Sequence, residues 1–518
     1  MDDNINDDSN NIVKKSLKKN YIYNLIYQIF VMIVPLVTTP YISRVLSAEG
    51  VGRFSFTSSL QDYFTLFATL GFGYYAQRLI AFNQNDKDEQ SKIFWEIILV
   101  RLCSTSIAIV VNLILYFSNI YKQYSQLMVW WNLSILAVAF DITFLFQGNE
   151  DYNKIVIRNI IVKLIIICLV FVLVKNNTDV WIYVILTSGA NLLGNFSLWA
   201  CLPKYLNKIN FKTLHPLRHI KPTIQLFIPT IAGTIYTVLD KTLIGLLIKD
   251  TYTVVETEVI DGTQTSVEVV KKYSDLENGY YAQSEKIVKI CIQLLNALGT
   301  IMVPRNSKLY SEGKVKELKD NIYFTSNYLF VLGIPMALGL IALAPLLVPW
   351  FLGDGYSKCI NLIPLFTPLV IIIGFSFLFG LQYLIPTGRD KKYTIAILIG
   401  AFTNLILNCV LIPFFWSYGA VIASLIAEFA VTLTMYLLVR KEISIKIILL
   451  QAIKPLIAGI IMFIACYFIV SHLASSFINI LIIIIAGALI YFILLLVLKE
   501  KLLCDQIKKI FYKLKKKN

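Results

Sequence analysis

Apolar runs of about 20 residues, parted by short polar breaks, recur from one end of the chain to the other. A helix rises about 1.5 Å per residue, so each run is long enough to cross ~30 Å of hydrocarbon. Reading between the breaks places spans at residues 21–42, 54–80, 93–117, 126–146, 155–174 and 180–202. Six more follow at 223–248, 281–303, 322–351, 360–385, 393–414 and 417–439, then a final pair at 451–470 and 477–498. The pattern predicts an all-α integral membrane protein of about fourteen transmembrane helices. One stretch departs from it. Residues 251–270 are rich in β-branched side chains on both sides of Asp261-Gly262, a strong short hairpin-turn signal, which predicts a small β-hairpin in the outer loop 250–278.

The distribution of Lys and Arg orients the spans. Alternate loops carry Lys14, Lys15, Lys18 and Lys19, then Lys87 and Lys92, then Lys154 and Arg158, and so on to the Lys-rich tail. The intervening loops hold only Arg44, Arg53, Lys122, Lys271, Lys272 and Lys358. The basic side faces the cytoplasm, which predicts a multi-pass protein of the bacterial inner membrane with both termini cytoplasmic. The acidic, polar residues 1–20 are expected to be disordered, with no cleaved signal peptide. Residues 203–222 read as a basic cytoplasmic linker, and 499–518 as a basic tail whose Lys508–Lys517 part lies on the inner leaflet.

Composition narrows the function classes. The chain is 57% hydrophobic and 15% charged, against about a quarter charged for soluble proteins. Its net charge of +15 is spread over short segments between spans, which excludes a nucleic-acid partner. No pair among the 8 cysteines has metal-ligand spacing, and His215, His219 and His472 assemble no catalytic set. The longest outer loop, 249–279, contains no histidine. An enzyme, a cofactor and a bound metal are therefore not expected.

Two stretches look alike about 240 residues apart: Gln147-Gly148-Asn149-Glu150-Asp151-Tyr152 before the fifth span and Thr387-Gly388-Arg389-Asp390-Lys391-Lys392-Tyr393 before the eleventh. Matching each span to the sixth after it suggests two six-helix lobes, 21–202 and 223–440, with 451–498 appended.

From about Lys14 to Lys499 the chain resembles the Wzx-type oligosaccharide flippases of the multidrug/oligosaccharidyl-lipid/polysaccharide exporter superfamily. The resemblance rests on Asn24-Leu25-Ile26-Tyr27 through Pro40-Tyr41-Ile42-Ser43-Arg44-Val45-Leu46, Gly50-Val51-Gly52, and Leu239-Asp240-Lys241-Thr242-Leu243-Ile244-Gly245. Asn278 to Val288, Pro386-Thr387-Gly388-Arg389 and Tyr418-Gly419-Ala420-Val421-Ile422-Ala423 carry it further. The outer hairpin is longer than the family's usual loop there. The resemblance implies a MATE-like fold, with two lobes around a central cavity that opens alternately to each side. It also implies a substrate: undecaprenyl-diphosphate-linked oligosaccharide moved to the outer leaflet for capsule, exopolysaccharide or O-antigen synthesis. A polysaccharide polymerase and chain-length proteins are then the expected partners of a monomeric carrier.

An anionic head crossing hydrocarbon needs cations along its way. Arg44 and Arg53 lie at the outer rim, Lys241, Lys286 and Lys289 in the outer halves of spans seven and eight, and Arg101 and Lys163 roughly 12 Å in from the cytoplasmic side. For each of them, snorkelling to the head groups is the competing account. Asp62, Asp141, Asp240, Glu285 and Glu428 are candidates for coupling to H+ or Na+, although Glu285 is placed to pair with Lys289, and Asp62 or Asp141 with Arg101 or Lys163. Pro35, Pro40 and Pro229 read as hinges, against static bends. Two other carriers remain as alternatives: a multidrug exporter of the same fold, which would favour acidic groups for cationic drugs, and a lipid-II-type flippase.

Overall fold

The computed structural model describes the backbone of residues 2–260 and 263–504. Side chains are described there except at 2–29, 225–226, 228–229, 232, 235, 255–267 and 298. The Asp261-Gly262 turn and the tail from 505 onward lie outside the described residues. Apolar runs form helices here because hydrocarbon offers backbone N–H and C=O groups no partner, and a helix satisfies them internally.

The chain divides into two compact units, Met1–Val238 and Leu239–Asn518. The first holds α1 (Asp2–Thr69), α2 (Phe72–Phe82), α3 (Lys87–Phe117), α4 (Ser125–Ala139), α5 (Thr143–Gly148), α6 (Tyr152–Leu173) and α7 (Val180–Ser197). The division falls within α8 (Ile220–Leu247). The second unit continues with strands β1 (Thr251–Ile260) and β2 (Thr263–Lys272), then α9 (Tyr273–Ser311), α10 (Val315–Phe351), α11 (Cys359–Phe366) and α12 (Pro368–Phe379). A π-helical turn at Gly380–Leu384 leads to α13 (Asp390–Val439), α14 (Ile445–Val470) and α15 (Phe477–Val497).

Among the described residues, eleven helical stretches are long and apolar enough to cross a membrane. Two of them each hold two spans, because the backbone breaks inside them: at Ser47 (φ 59°) in Phe30–Phe82 and at Trp416 (φ 55°) in Asp390–Val439. With α8 as a further long apolar helix, the predicted count of about fourteen follows. The protein is a multi-pass, all-α membrane protein.

The helical backbone of α1 starts at Asp2. The breaks in α1 and α13 fall at Ser47 and Trp416, between the spans predicted at 21–42 and 54–80 and at 393–414 and 417–439, while Pro35, Pro40 and Pro413 sit inside helix. A proline removes one hydrogen bond and bends a helix, whereas turning the chain back needs a residue off the helical backbone altogether.

Cores follow from the inward faces. In unit 1, Leu46, Met128, Trp131, Val174 and Val184 form one cluster, and Phe72, Phe94, Ile97, Phe144 and Phe146 another. In unit 2, Met462, Cys466, Ile483 and Tyr491 pack on Val331 and Leu346, and the Tyr491 hydroxyl donates to the Val331 carbonyl at 2.8 Å. The opposite faces carry exposed Ile482, Ile485, Leu489 and Phe492, as hydrocarbon permits.

β1 and β2 pair antiparallel from Thr251↔Lys272 to Ile260↔Thr263. At their base Tyr252 packs on Tyr273 (ring centroids 4.8 Å apart) and Tyr273 on Trp416 (5.2 Å). The two halves of α13 fold back on one another through small residues. A methyl group added at Gly419 would lie 2.5 Å from the Leu411 carbonyl oxygen, and one added at Gly400 would overlap the Val431 side chain. Gly419→Ala is therefore expected to destabilise unit 2 by about 1–3 kcal/mol. An unchanged thermal midpoint in detergent would rule this out.

Candidate functional site

A buried polar cluster of unit 2 centres on Asp240, 8% exposed, on α8. Asn404 and Asn408, one turn apart on α13, donate to its Oδ1 at 3.0 and 2.6 Å. Ser424 donates to Oδ2 at 2.5 Å, and Tyr281 of α9 donates to the same oxygen. Among the described residues the partners are all neutral, so the negative charge is solvated by dipoles and not cancelled. The Oδ1 of Asn408, on a fully buried residue, accepts no hydrogen bond there.

Next along α8 and α9 lies a basic cluster. The carboxylate of Glu285 binds Lys241 Nζ at 2.9 Å and Lys289 Nζ at 2.6 Å, the latter one turn along the same helix. Lys286, half-buried, has neither an ion pair nor a hydrogen bond among the described residues. Two ammonium groups thus bind one carboxylate, and Lys286, the next residue on α9, adds a third positive charge to the cluster, an arrangement suited to an added anion.

In unit 1 the geometry is different. Arg101, 2% exposed on α3, gives Nη1 to the Asp141 carbonyl, lies 3.8 Å from the Asp141 carboxylate and sits 5.4 Å from the Phe144 ring. That is an internal pairing, which sequence spacing had left open against a ligand role. Lys163 is half-buried on α6 between exposed Ile161, Leu164 and Ile165. Arg44 is exposed and bonds the Pro40 carbonyl at 3.0 Å, while Arg53 pairs with Glu49 one turn earlier. Asp62 lines a polar cavity in this unit, and Glu428 is half-buried on α13 of unit 2. Pro35 and Pro40 lie within α1; Pro229 lies in α8 and its side chain is not among those described.

Three clusters escaped sequence reading. Glu277, 3% exposed, takes Lys358 Nζ at 2.7 and 2.6 Å, with Ser417 as a third donor. Glu96, 1% exposed, lies 2.7 Å from both His219 and Arg218, so the segment before α8 is tied to α3. Glu442 binds Arg389 at 2.6 and 3.0 Å and accepts from Tyr383 at 2.5 Å. Only Asn404 and Asn408 left a signal: two amides four residues apart in an otherwise apolar run.

Long apolar helices that carry hydrogen-bonded carboxylates and lysines make this a multi-pass membrane protein. The chain belongs to the polysaccharide biosynthesis protein family, whose model matches residues 17–310. It is 26% identical over 440 residues to the "Putative O-antigen transporter" of Escherichia coli (strain K12), covering 83% of this chain and 99% of that one. Its fold is similar to that of a solved "Lipid II flippase MurJ, inward closed conformation", with a TM-score of 0.67, 17% identity and coverage of 92% and 97% of the two chains. An inward-facing multidrug resistance MATE family transporter of the MOP superfamily is also similar, with a TM-score of 0.59, 13% identity and coverage of 82% and 98%.

The Arg389 guanidinium holds the Glu442 carboxyl below its ordinary range, even though partial burial opposes this. Because the folded value lies below the unfolded one, the pair stabilises the fold above the ordinary range near ~4.3, and that stabilisation is lost as pH falls through the depressed value. The thermal midpoint of the native protein is expected to fall more steeply below about pH 4 than that of Glu442→Gln. Parallel curves would remove the pair from the account.

Proposed function

We propose that this protein is a flippase that moves undecaprenyl-diphosphate-linked oligosaccharide repeat units from the inner to the outer leaflet of the bacterial cytoplasmic membrane by alternating access. The units feed synthesis of O-antigen, capsule or exopolysaccharide, and a polymerase takes them up on the far side. The observation that carries this reading is the basic cluster in which Lys241 and Lys289 share the single carboxylate of Glu285, with Lys286 beside it in sequence. A diphosphate placed there gains charge-assisted hydrogen bonds and replaces water lost on leaving the head-group layer. Near full-length likeness to a protein named as an O-antigen transporter supports the substrate class. The positive excess disfavours the alternative of a drug-cation exporter.

Arg101 is assigned to structure in this reading, since its charge is already bound to Asp141. Asp240 is the coupling carboxylate. Its neutral donors leave it able to take a proton or a sodium ion without displacing a resident cation. Glu285 is reserved for the lysines, and Asp141 for Arg101.

The test is deletion of the gene, which should trap lipid-linked repeat units on the cytoplasmic face of the membrane. Units that still reach the outside would overturn the reading. Rescue instead of a cell depleted of its lipid II flippase would move the substrate to the cell-wall precursor. In the deletion strain, Lys241→Ala combined with Lys286→Ala is expected to restore transport at least tenfold less well than the native gene at equal membrane levels. Asp240→Asn should leave the protein folded but abolish the response of transport to an imposed ion gradient. Full gradient dependence in that variant would free Asp240 of the coupling role.

A further inference from the structure

Unit 1 holds a cavity of about 380 Å³ walled by the second half of α1, by α4 and by α7, together with Asp141. That volume lies within the ~300–1,000 Å³ range of small-ligand sites. Most of its lining residues carry a hydroxyl, an amide or a carboxylate, with Trp131, Ala137 and Val138 between them. No lysine, arginine or histidine reaches it among the described residues. Two carboxylates, Asp62 and Asp141, would repel a phosphate, and an apolar tail would leave the amides without partners.

The polar groups are set up for a ligand that both donates and accepts. Gln61 is only 4% exposed, lines the cavity, and its amide makes no hydrogen bond among the described residues. Thr187 spends its proton on the Tyr183 carbonyl at 2.8 Å, which leaves oxygen lone pairs for a donor in the cavity. Asp141 is held at one oxygen by the Thr143 N–H at 3.0 Å and from behind by Arg101 at 3.8 Å, so its acceptor sites are fixed in place. Asn191 offers an amide whose only hydrogen bond among the described residues, to Ser134, is a long 3.5 Å. Trp131 supplies an aromatic wall, and its Nε1 is already satisfied by Thr57 at 3.0 Å. Vicinal hydroxyls on a ring with apolar C–H faces match this inventory group by group.

We infer that this cavity binds a neutral or N-acetylated sugar ring of the transported glycan, so that sugar recognition is assigned to unit 1. The inference rests on the flippase reading for the identity of the ligand, but its test is independent of transport. Full-length protein in lipid nanodiscs is probed by saturation-transfer NMR with N-acetylglucosamine, glucose, galactose, rhamnose and glucuronic acid, each at millimolar concentration. At least one neutral or N-acetylated sugar is expected to show transfer, and glucuronic acid, repelled by the two carboxylates, to show none. Gln61→Leu and Asn191→Leu should each cut the signal at least fivefold. Ser58→Ala, a smaller change in the same wall, should cut it about threefold with the thermal midpoint unchanged. Silence from every neutral sugar, equal binding by the variants, or a stronger signal from glucuronic acid would overturn the inference. If sugars stay silent while the deletion strain accumulates lipid-linked units, the cavity assignment alone fails. If sugars bind and nothing accumulates, the flippase reading fails and the cavity stands.

Discussion

A charge within hydrocarbon cannot borrow solvation from water, so each one present must be answered by the protein itself or by a passenger. The two units answer in different ways. In unit 1 the guanidinium of Arg101 lies 3.8 Å from the Asp141 carboxylate and is covered by Phe144, a pair that fixes α3 to the segment ahead of α5. In unit 2 the carboxylate of Asp240 is held by four neutral donors, and the ammonium groups outnumber the carboxylate they bind. Closed pairs give rigidity; open accounts give binding. The proposed chemistry follows from where the bookkeeping is left uneven.

The same constraint explains how much could be read from the chain. Spans are legible because hydrocarbon demands an unbroken apolar run, and the strands of the outer ribbon because β-branched residues alternate about a turn dipeptide. Side-chain partners are not legible. Lys289 and Glu285 could be paired on paper because one helix fixes their separation, whereas Arg101 lies on α3 and Asp141 in the segment between α4 and α5, and their pairing needed the fold. Asn404, Asn408, Ser424 and Tyr281 come from three segments of sequence, and nothing local in Asp240 points to them. The chain reversals at Ser47 and Trp416 fall between predicted spans, but the positive φ that makes each of them is not announced by the residue type.

The contrast between the two buried aspartates bears on how such a chain tolerates change. At position 141, losing the negative charge strands a guanidinium that is 2% exposed, a penalty the fold has no means of relieving. At position 240 the neighbours are amides and hydroxyls, and an amide in place of the carboxylate abandons no cation. Genetic drift can therefore erase the second aspartate and leave an intact, membrane-inserted protein, but it cannot erase the first so cheaply. Descendants of this chain that have lost the charge at 240 would look structurally unharmed.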